Sequence, residues 1–167
     1  MSAETAASLA LLPYSDARAG AFERINTEWI EAMYTLEATD REVLGNPRAL
    51  IIDRGGDILF ASAGDLGIVG ACALMPSGDG AFELTKMGVL AAARGRKVGE
   101  FLLAGVIDRA RRMRAAGTLA ELYLLTNTKS AAAIHLYEKL GFVHSADIMQ
   151  RFGRKYARCN VAMSFPI

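Results

Sequence analysis

The chain has 167 residues, which suits one domain with room for a sizeable core. Apolar residues make up 52% and charged residues 22%, a balance that excludes a disordered chain. A net charge of +1 gives no global field selecting nucleic acid or an anionic membrane, and the longest apolar runs, such as Ile68 to Met75, fall far short of the ~20 residues a bilayer needs.

In chain order, Met1 to Leu12 is small and apolar but lacks the basic segment of a signal peptide, so a cytoplasmic location is expected. Asp16 to Met33 reads as a helix, with Phe22, Ile25, Trp29 and Met33 at helical spacing and Ser15 or Asp16 able to cap it. A second short helix over Glu37 to Leu44 stops at Gly45-Asn46-Pro47. Ala49 to Asp53 and Asp57 to Ala63 are short apolar runs split by Arg54-Gly55-Gly56, the pattern of a hairpin. Gly67 to Met75 is apolar on both alternations, as in a central strand covered on both faces; Pro76 to Gly80 is a turn, and Ala81 to Leu90 is the next strand. A long helix follows Arg94 with Val98, Phe101, Leu102, Val106, Ala110 and Met113 on one face, and Gly117 ends it. Leu119 to Thr126 reads as a strand, Ser130 to Leu140 as a helix stopped by Gly141, and Phe142 to Met149 and Tyr156 to Phe165 as two closing strands. The order predicts one mixed α/β domain over 1–167: a helical region over 1–48, then a sheet core over 49–167. Cys72 sits in an apolar run, as a reduced core thiol would, and Cys159 is far from it.

Arg94-Gly95-Arg96-Lys97-Val98-Gly99 opens the long helix. The first N–H groups of a helix lack partners and carry partial positive charge, and glycine lets a ligand approach the backbone. Three cations add to this, so the turn can hold an anion with several phosphate oxygens. An ordinary loop with solvated cations has the same residues. Neither the Gly-x-x-x-x-Gly-Lys-[Ser/Thr] loop nor the dinucleotide Gly-x-Gly-x-x-Gly is present.

This turn resembles the phosphate turn of the GNAT superfamily of acyl-CoA-dependent N-acetyltransferases, [Gln/Arg]-x-x-Gly-x-[Gly/Ala] after a strand ending in Val. Arg94, Gly99 and Val89 take those places; Lys97 stands at the family glycine, and Ala91 where a Pro is common. Leu136-Tyr137-Glu138-Lys139-Leu140-Gly141-Phe142 is similar to the family's second motif, Leu-Tyr-x-Lys-x-Gly-Phe, with Thr126-Asn127 and Ser130 before it. The resemblance implies a six- to seven-stranded sheet splayed in the middle with helices on both faces, and acetyl-CoA as acyl donor. It implies a cofactor site built from Met87, Val89, Arg94, Gly95, Arg96, Lys97, Val98, Gly99, Glu100, Asn127, Ser130 and Tyr137. The implied function is transfer of acetyl to a primary amine of a small molecule or peptide by direct attack. The alternative is a non-catalytic acyl-CoA sensor or partner-binding module. A homodimer fits the family; no metal, nucleic acid or membrane is implied.

Two side chains would do the chemistry. A phenol keeps its proton at neutral pH, so Tyr137 could protonate the departing thiolate, although its spacing also fits a core tyrosine. Strand alternation puts Glu83, Thr85, Met87 and Val89 on one face unless a bulge intervenes, which would aim the Glu83 carboxylate at the cofactor side as a base; a solvated or ion-paired glutamate fits equally. Glu28, Trp29 and Tyr34 are the expected acceptor-side residues. Arg109, Arg111, Arg112 and Arg114 complement a helix C-terminus better than they suggest a nucleic-acid surface.

Overall fold

The computed structural model describes residues 8–167; the first seven residues of the apolar stretch Met1 to Leu12 lie outside the described residues. Seven strands form a single sheet: β1 (Leu9–Pro13), β2 (Asp57–Ala63), β3 (Gly67–Gly78), β4 (Ala81–Val89), β5 (Glu121–Thr126), β6 (Val143–His144) and β7 (Val161–Phe165). Their order in space is β1-β2-β3-β4-β5-β7-β6, antiparallel everywhere except the β4–β5 pair. That parallel pair has only three rungs, Ala81 to Glu83 against Glu121 to Tyr123. Beyond them the strands diverge, and residues 84–89 of β4 have no strand on that side. The expected splay is this gap.

Helices cover both faces. α1 (Ala19–Met33) and α2 (Ala38–Gly45) bury Phe22, Ile25, Ile30, Val43 and Leu44 against Ile58, Phe60, Ala71 and Ala73. α3 (Val98–Ala115) and α4 (Ala131–Leu140) close the other face. The α3 stripe of Val98, Leu102, Val106, Ala110 and Met113 is buried as its spacing predicts, each larger side chain contributing about 1.5–3 kcal/mol. A Cβ on Gly70 would meet Val98 and Leu102 at 3.3 Å, so α3 lies close on β3.

Several elements differ from the sequence reading. Leu9–Pro13 is an edge strand, which the helical reading of the first 48 residues omits. Residues 49–53 are not a hairpin strand: Arg48–Ile52 winds as one π-helical turn after Pro47, whose fixed φ favours helix starts. Gly56 then passes so close that a Cβ would lie 2.4 Å from the Leu74 carbonyl. The hairpins are β2–β3 and β3–β4, and β3 runs through Pro76 to Gly78, leaving Asp79-Gly80, both at positive φ, as a two-residue turn. The expected strand Phe142 to Met149 is only β6, followed by α5 (Ala146–Phe152). Ser145 caps α5 through the Ile148 N–H, and Ile148, Met149 and Phe152 pack on Tyr123 and Ala162. β7 starts at Val161, not Tyr156.

The arginines of α3 are engaged locally. Arg109 pairs with Asp57 at 2.7 Å, Arg112 with Asp108 at 2.6 Å, Arg114 donates to the Ala120 carbonyl, and Arg111 lies over Phe165.

Candidate active site

The site grows from a bulge in β4. Ala71 faces Gly88 and Ala73 faces Thr85, so β4 carries one extra residue opposite Cys72. Lys86 takes up that residue at φ 53, a left-handed backbone unusual for a lysine. The bulge reverses the alternation. Glu83 and Thr85 face α1 and α2, as does Lys86, whereas Met87 and Val89 face α3 and α4. Gly88 points back at Trp29, where a Cβ would sit 2.1 Å from Cδ1. The expectation that Glu83 shares a face with Met87 and Val89 is therefore corrected.

Two cavities meet where β4 and β5 part. The larger, of about 1050 Å³, runs from the start of α3 to α4. Six residues of the expected cofactor set line it: Met87, Val89, Arg94, Gly99, Ser130 and Tyr137. At its far end the turn before α3 bends through Gly95 at φ 82 and Lys97 at φ 60. Lys97 thus holds the left-handed conformation suited to glycine. Among the described residues, none of the six consecutive backbone N–H groups from Gly95 to Glu100 meets a protein acceptor. They stand at the positive end of an 18-residue helix.

The rest of that set is placed differently. Val98 is buried at the first turn of α3, so its side chain belongs to the core. The Arg96 guanidinium is tied to both oxygens of Asp65, at 2.8 and 2.9 Å. Glu100 pairs with Lys139 at 2.8 Å. Neither lines a cavity. Gly95 and Lys97 are exposed and line neither cavity. Asn127 lies at the second cavity; its amide donates to the Arg158 carbonyl and accepts from the Lys129 N–H, so it braces a loop.

Tyr137 lines both cavities. It is 8% exposed, edge-on to Phe142, and its hydroxyl has no hydrogen-bond partner among the described residues. Among the described residues no buried side-chain polar atom lacks a partner, so this hydroxyl opens on the cavities. Burial raises the Tyr137 phenol well above the usual tyrosine range, and the neighbouring Cys72 and Tyr34 add to the effect.

The second cavity, of about 550 Å³, fills the gap itself. Trp29 and Tyr34 form its wall, edge to face at 6.4 Å, with Trp29 held by Asn26 and Tyr34 by Ser130. Glu28, expected beside them, is outside; its exposed carboxylate accepts the Ala91 N–H.

Behind the floor lies a charged network that the sequence reading missed. Asp40, wholly buried, takes Lys86 at 2.9 Å and Arg158 at 2.7 and 2.9 Å. Burial alone would raise its pKa, but the Arg158 and Lys86 partners hold it well below the usual carboxylate range. Burial pulls the Lys86 ammonium the other way, downward, against the attraction of Asp40. Glu83 is 1% exposed with both oxygens taken, Oε1 by Lys155 at 2.6 Å and Oε2 by the Tyr156 hydroxyl at 3.0 Å. It does not reach the cavity; Tyr156, Thr85 and Lys86 do. The Tyr156 hydroxyl also lies 3.2 Å from Thr85 Oγ1 and accepts from Lys86 at 3.3 Å. The available signal was Glu83 and Lys86 within a strand whose every residue from Ala81 to Lys86 is buried. Among the described residues no cluster of His, Cys, Asp and Glu could hold a metal, and no helix is long and apolar enough to cross a membrane.

Residues 54–144 match the family model described as an acetyltransferase (GNAT) domain. The fold resembles that of a GNAT-family acetyltransferase from Staphylococcus aureus Mu50, at 21% identity and TM-score 0.80, covering 94% of this chain and 98% of that one. An acetyltransferase from Streptococcus agalactiae 2603 is similar at 18% identity and TM-score 0.76, covering 96% and 99%. The spermidine N-acetyltransferase of Vibrio cholerae, solved with CoA and spermine, is similar at 17% identity and TM-score 0.63, covering 83% of each chain. No curated protein matches the sequence.

Proposed function

Because the chain belongs to the GNAT acetyltransferase family and is accordingly an N-acetyltransferase using acetyl-CoA, we propose that it acetylates a primary amine by direct attack, with the amine seated between β4 and β5. The observation that carries this reading is one cleft that ends at Arg94 and Gly99, within a turn whose six amides have no acceptor among the described residues, and reaches at its other end a tyrosine hydroxyl without a partner among them.

The residues fit the donor. The amides of 95–100 and the Arg94 guanidinium suit a diphosphate, and the unpaired edge of β4 at Met87 and Val89 suits an extended amide-bearing arm. When bound, acetyl-CoA supplies a thioester that yields the acetyl group and a thiolate. Tyr137, kept protonated by burial, holds the proton the thiolate needs. An amine must shed a proton to attack; the Tyr156 hydroxyl, which donates to Glu83, offers a path from the cavity to that carboxylate. Glu83 thus serves through Tyr156 and not by direct contact. Holding both reactants in one gap can contribute about 7–11 kcal/mol of the barrier.

Calorimetry with CoA tests the cradle. Gly99 lines the cleft, and a Cβ there meets only Leu136 at 3.5 Å and Met87 at 3.9 Å, so Gly99→Ala is tolerated while Gly99→Glu brings bulk and negative charge to the amides. The Glu variant should bind CoA at least tenfold more weakly than wild type, a loss of about 1.4 kcal/mol or more, and the Ala variant within about threefold of wild type. Equal affinity in all three would remove the turn from the site.

A further inference from the structure

The cavity between β4 and β5 is lined by charge of one sign. Lys86 and Arg158 face it, Arg94 and Lys129 line the adjoining cleft, and among the described residues no aspartate or glutamate lines either. The nearby carboxylates sit one layer back and are occupied: Asp40 by Lys86 and Arg158, Glu37 by Arg158 and the Ala157 and Arg158 amides, Glu83 by Lys155 and Tyr156. The cations are not exhausted. Arg158 uses Nη1 on Glu37 and Asp40 and one Nη2 bond on Asp40, which leaves its Nε–H and one Nη2–H without an acceptor among the described residues. Lys86 spends two of its three protons, on Asp40 and Tyr156. A polyamine entering here would set extra ammonium groups beside two cations with no carboxylate free to pair with them. A carboxylate would receive charge-assisted bonds instead.

We propose that the acceptor is an amine carrying its own carboxylate, of the α-amino acid class, which turns that carboxylate to Arg158 and Lys86 and its amine to the gap beside Tyr137. The proposal rests on the acetyltransfer reading and refines it.

Trp29 is the single tryptophan of the chain and lines both cavities, so its emission reports occupancy without turnover. The full chain, with and without saturating CoA, is titrated with leucine against isopentylamine, phenylalanine against phenethylamine, and spermidine. Each amino acid should bind at least tenfold more tightly than its decarboxylated counterpart and than spermidine. Arg158→Lys keeps a charge on Asp40 but loses the spare fork; it should weaken leucine at least fivefold and leave isopentylamine unchanged. If that variant does not fold, the wild-type pairs decide. Equal or tighter binding of the decarboxylated amines or spermidine, or no emission change with any of them, overturns the proposal. Thiol release from acetyl-CoA is followed in parallel. Amino-acid-selective quenching without thiol release keeps the carboxylate site at Arg158 and Lys86 and overturns acetyltransfer, and with it the acceptor role. Thiol release favouring spermidine or isopentylamine over leucine does the reverse.

Discussion

Replacing Tyr137 by Phe removes one oxygen and nothing else. That oxygen touches no protein partner among the described residues, so the fold should lose little: within about 0.5 kcal/mol by urea unfolding, the range of a change that breaks no contact. The ring keeps its edge contact with Phe142 and its place in the core. CoA should bind within about twofold of wild type, because the amides at the start of α3 are far along the cleft from this hydroxyl and are untouched. Turnover is another matter. A positioned acid is worth about 10²–10⁴ in rate, or roughly 2.7–5.4 kcal/mol, and kcat should fall by that factor. Burial holds the phenol above the usual tyrosine range, so wild-type kcat should show no loss of the acid below about pH 10. Thiol release at saturating acetyl-CoA, with calorimetry and unfolding on the same preparation, gives all three quantities. Full turnover in Tyr137→Phe refutes the acid role. A fall in kcat matched by a fall in stability or CoA affinity refutes the claim that the hydroxyl is free of structural duty.

Gly88→Ala drives a methyl to 2.1 Å from Trp29 Cδ1 and 2.5 Å from Nε1, so the indole must move and lose its bond to Asn26; overpacking plus that bond should cost about 2–4 kcal/mol, read by urea unfolding with a shifted Trp29 emission. Lys97→Gly should relieve about 1–2 kcal/mol of left-handed strain and add about 0.5–1 of backbone entropy, a net gain visible as a Tm higher by a few degrees; an unchanged or lower Tm removes the strain argument. Asp40→Asn strips Lys86 and Arg158 of their shared partner and should cost about 3–5 kcal/mol at pH 7. The Asp40 pKa is lowered by folding, so its contribution is complete above the ordinary value of 3.8 and is lost as pH falls below it; the wild-type advantage should shrink by about 1 kcal/mol at pH 3, and an advantage that stays constant would refute the pairing. Tyr156→Phe breaks the path to Glu83 and should lower kcat/KM about 10–100-fold at pH 7, with the loss recovered at alkaline pH where the amine arrives uncharged; a parallel loss at every pH would argue for packing instead.

Local signals were legible and distant ones were not. The α3 stripe, the glycines of its opening turn and the Tyr137 motif are each read within a few residues, and the structure brings those segments to one cleft. The bulge at Lys86 left no trace, because bulges are marked by glycine and this one holds a lysine in the left-handed region. Missing it turned Glu83 to the wrong face. The Asp40–Lys86 and Tyr156–Glu83 contacts join residues 46 and 73 apart, beyond any periodicity argument. β1 shows no alternation, having an edge position with one partner, and α5 is seven residues long, too short for helical spacing to outweigh a β-rich reading.

Strand parity has two values only. The insertion at Lys86 acts on β4 as a frameshift acts on a reading frame: everything upstream keeps one phase, everything downstream takes the other. Deleting that residue would close the ladder with Met87 opposite Cys72, and because it removes the one residue outside the alternation it would leave Met87 and Val89 toward α3 and Gly88 against the indole. No side chain can stop halfway, so such a deletion should preserve the cleft wall and remove the Lys86 partner of Asp40 instead, and point substitutions that keep the residue count should leave the phase intact.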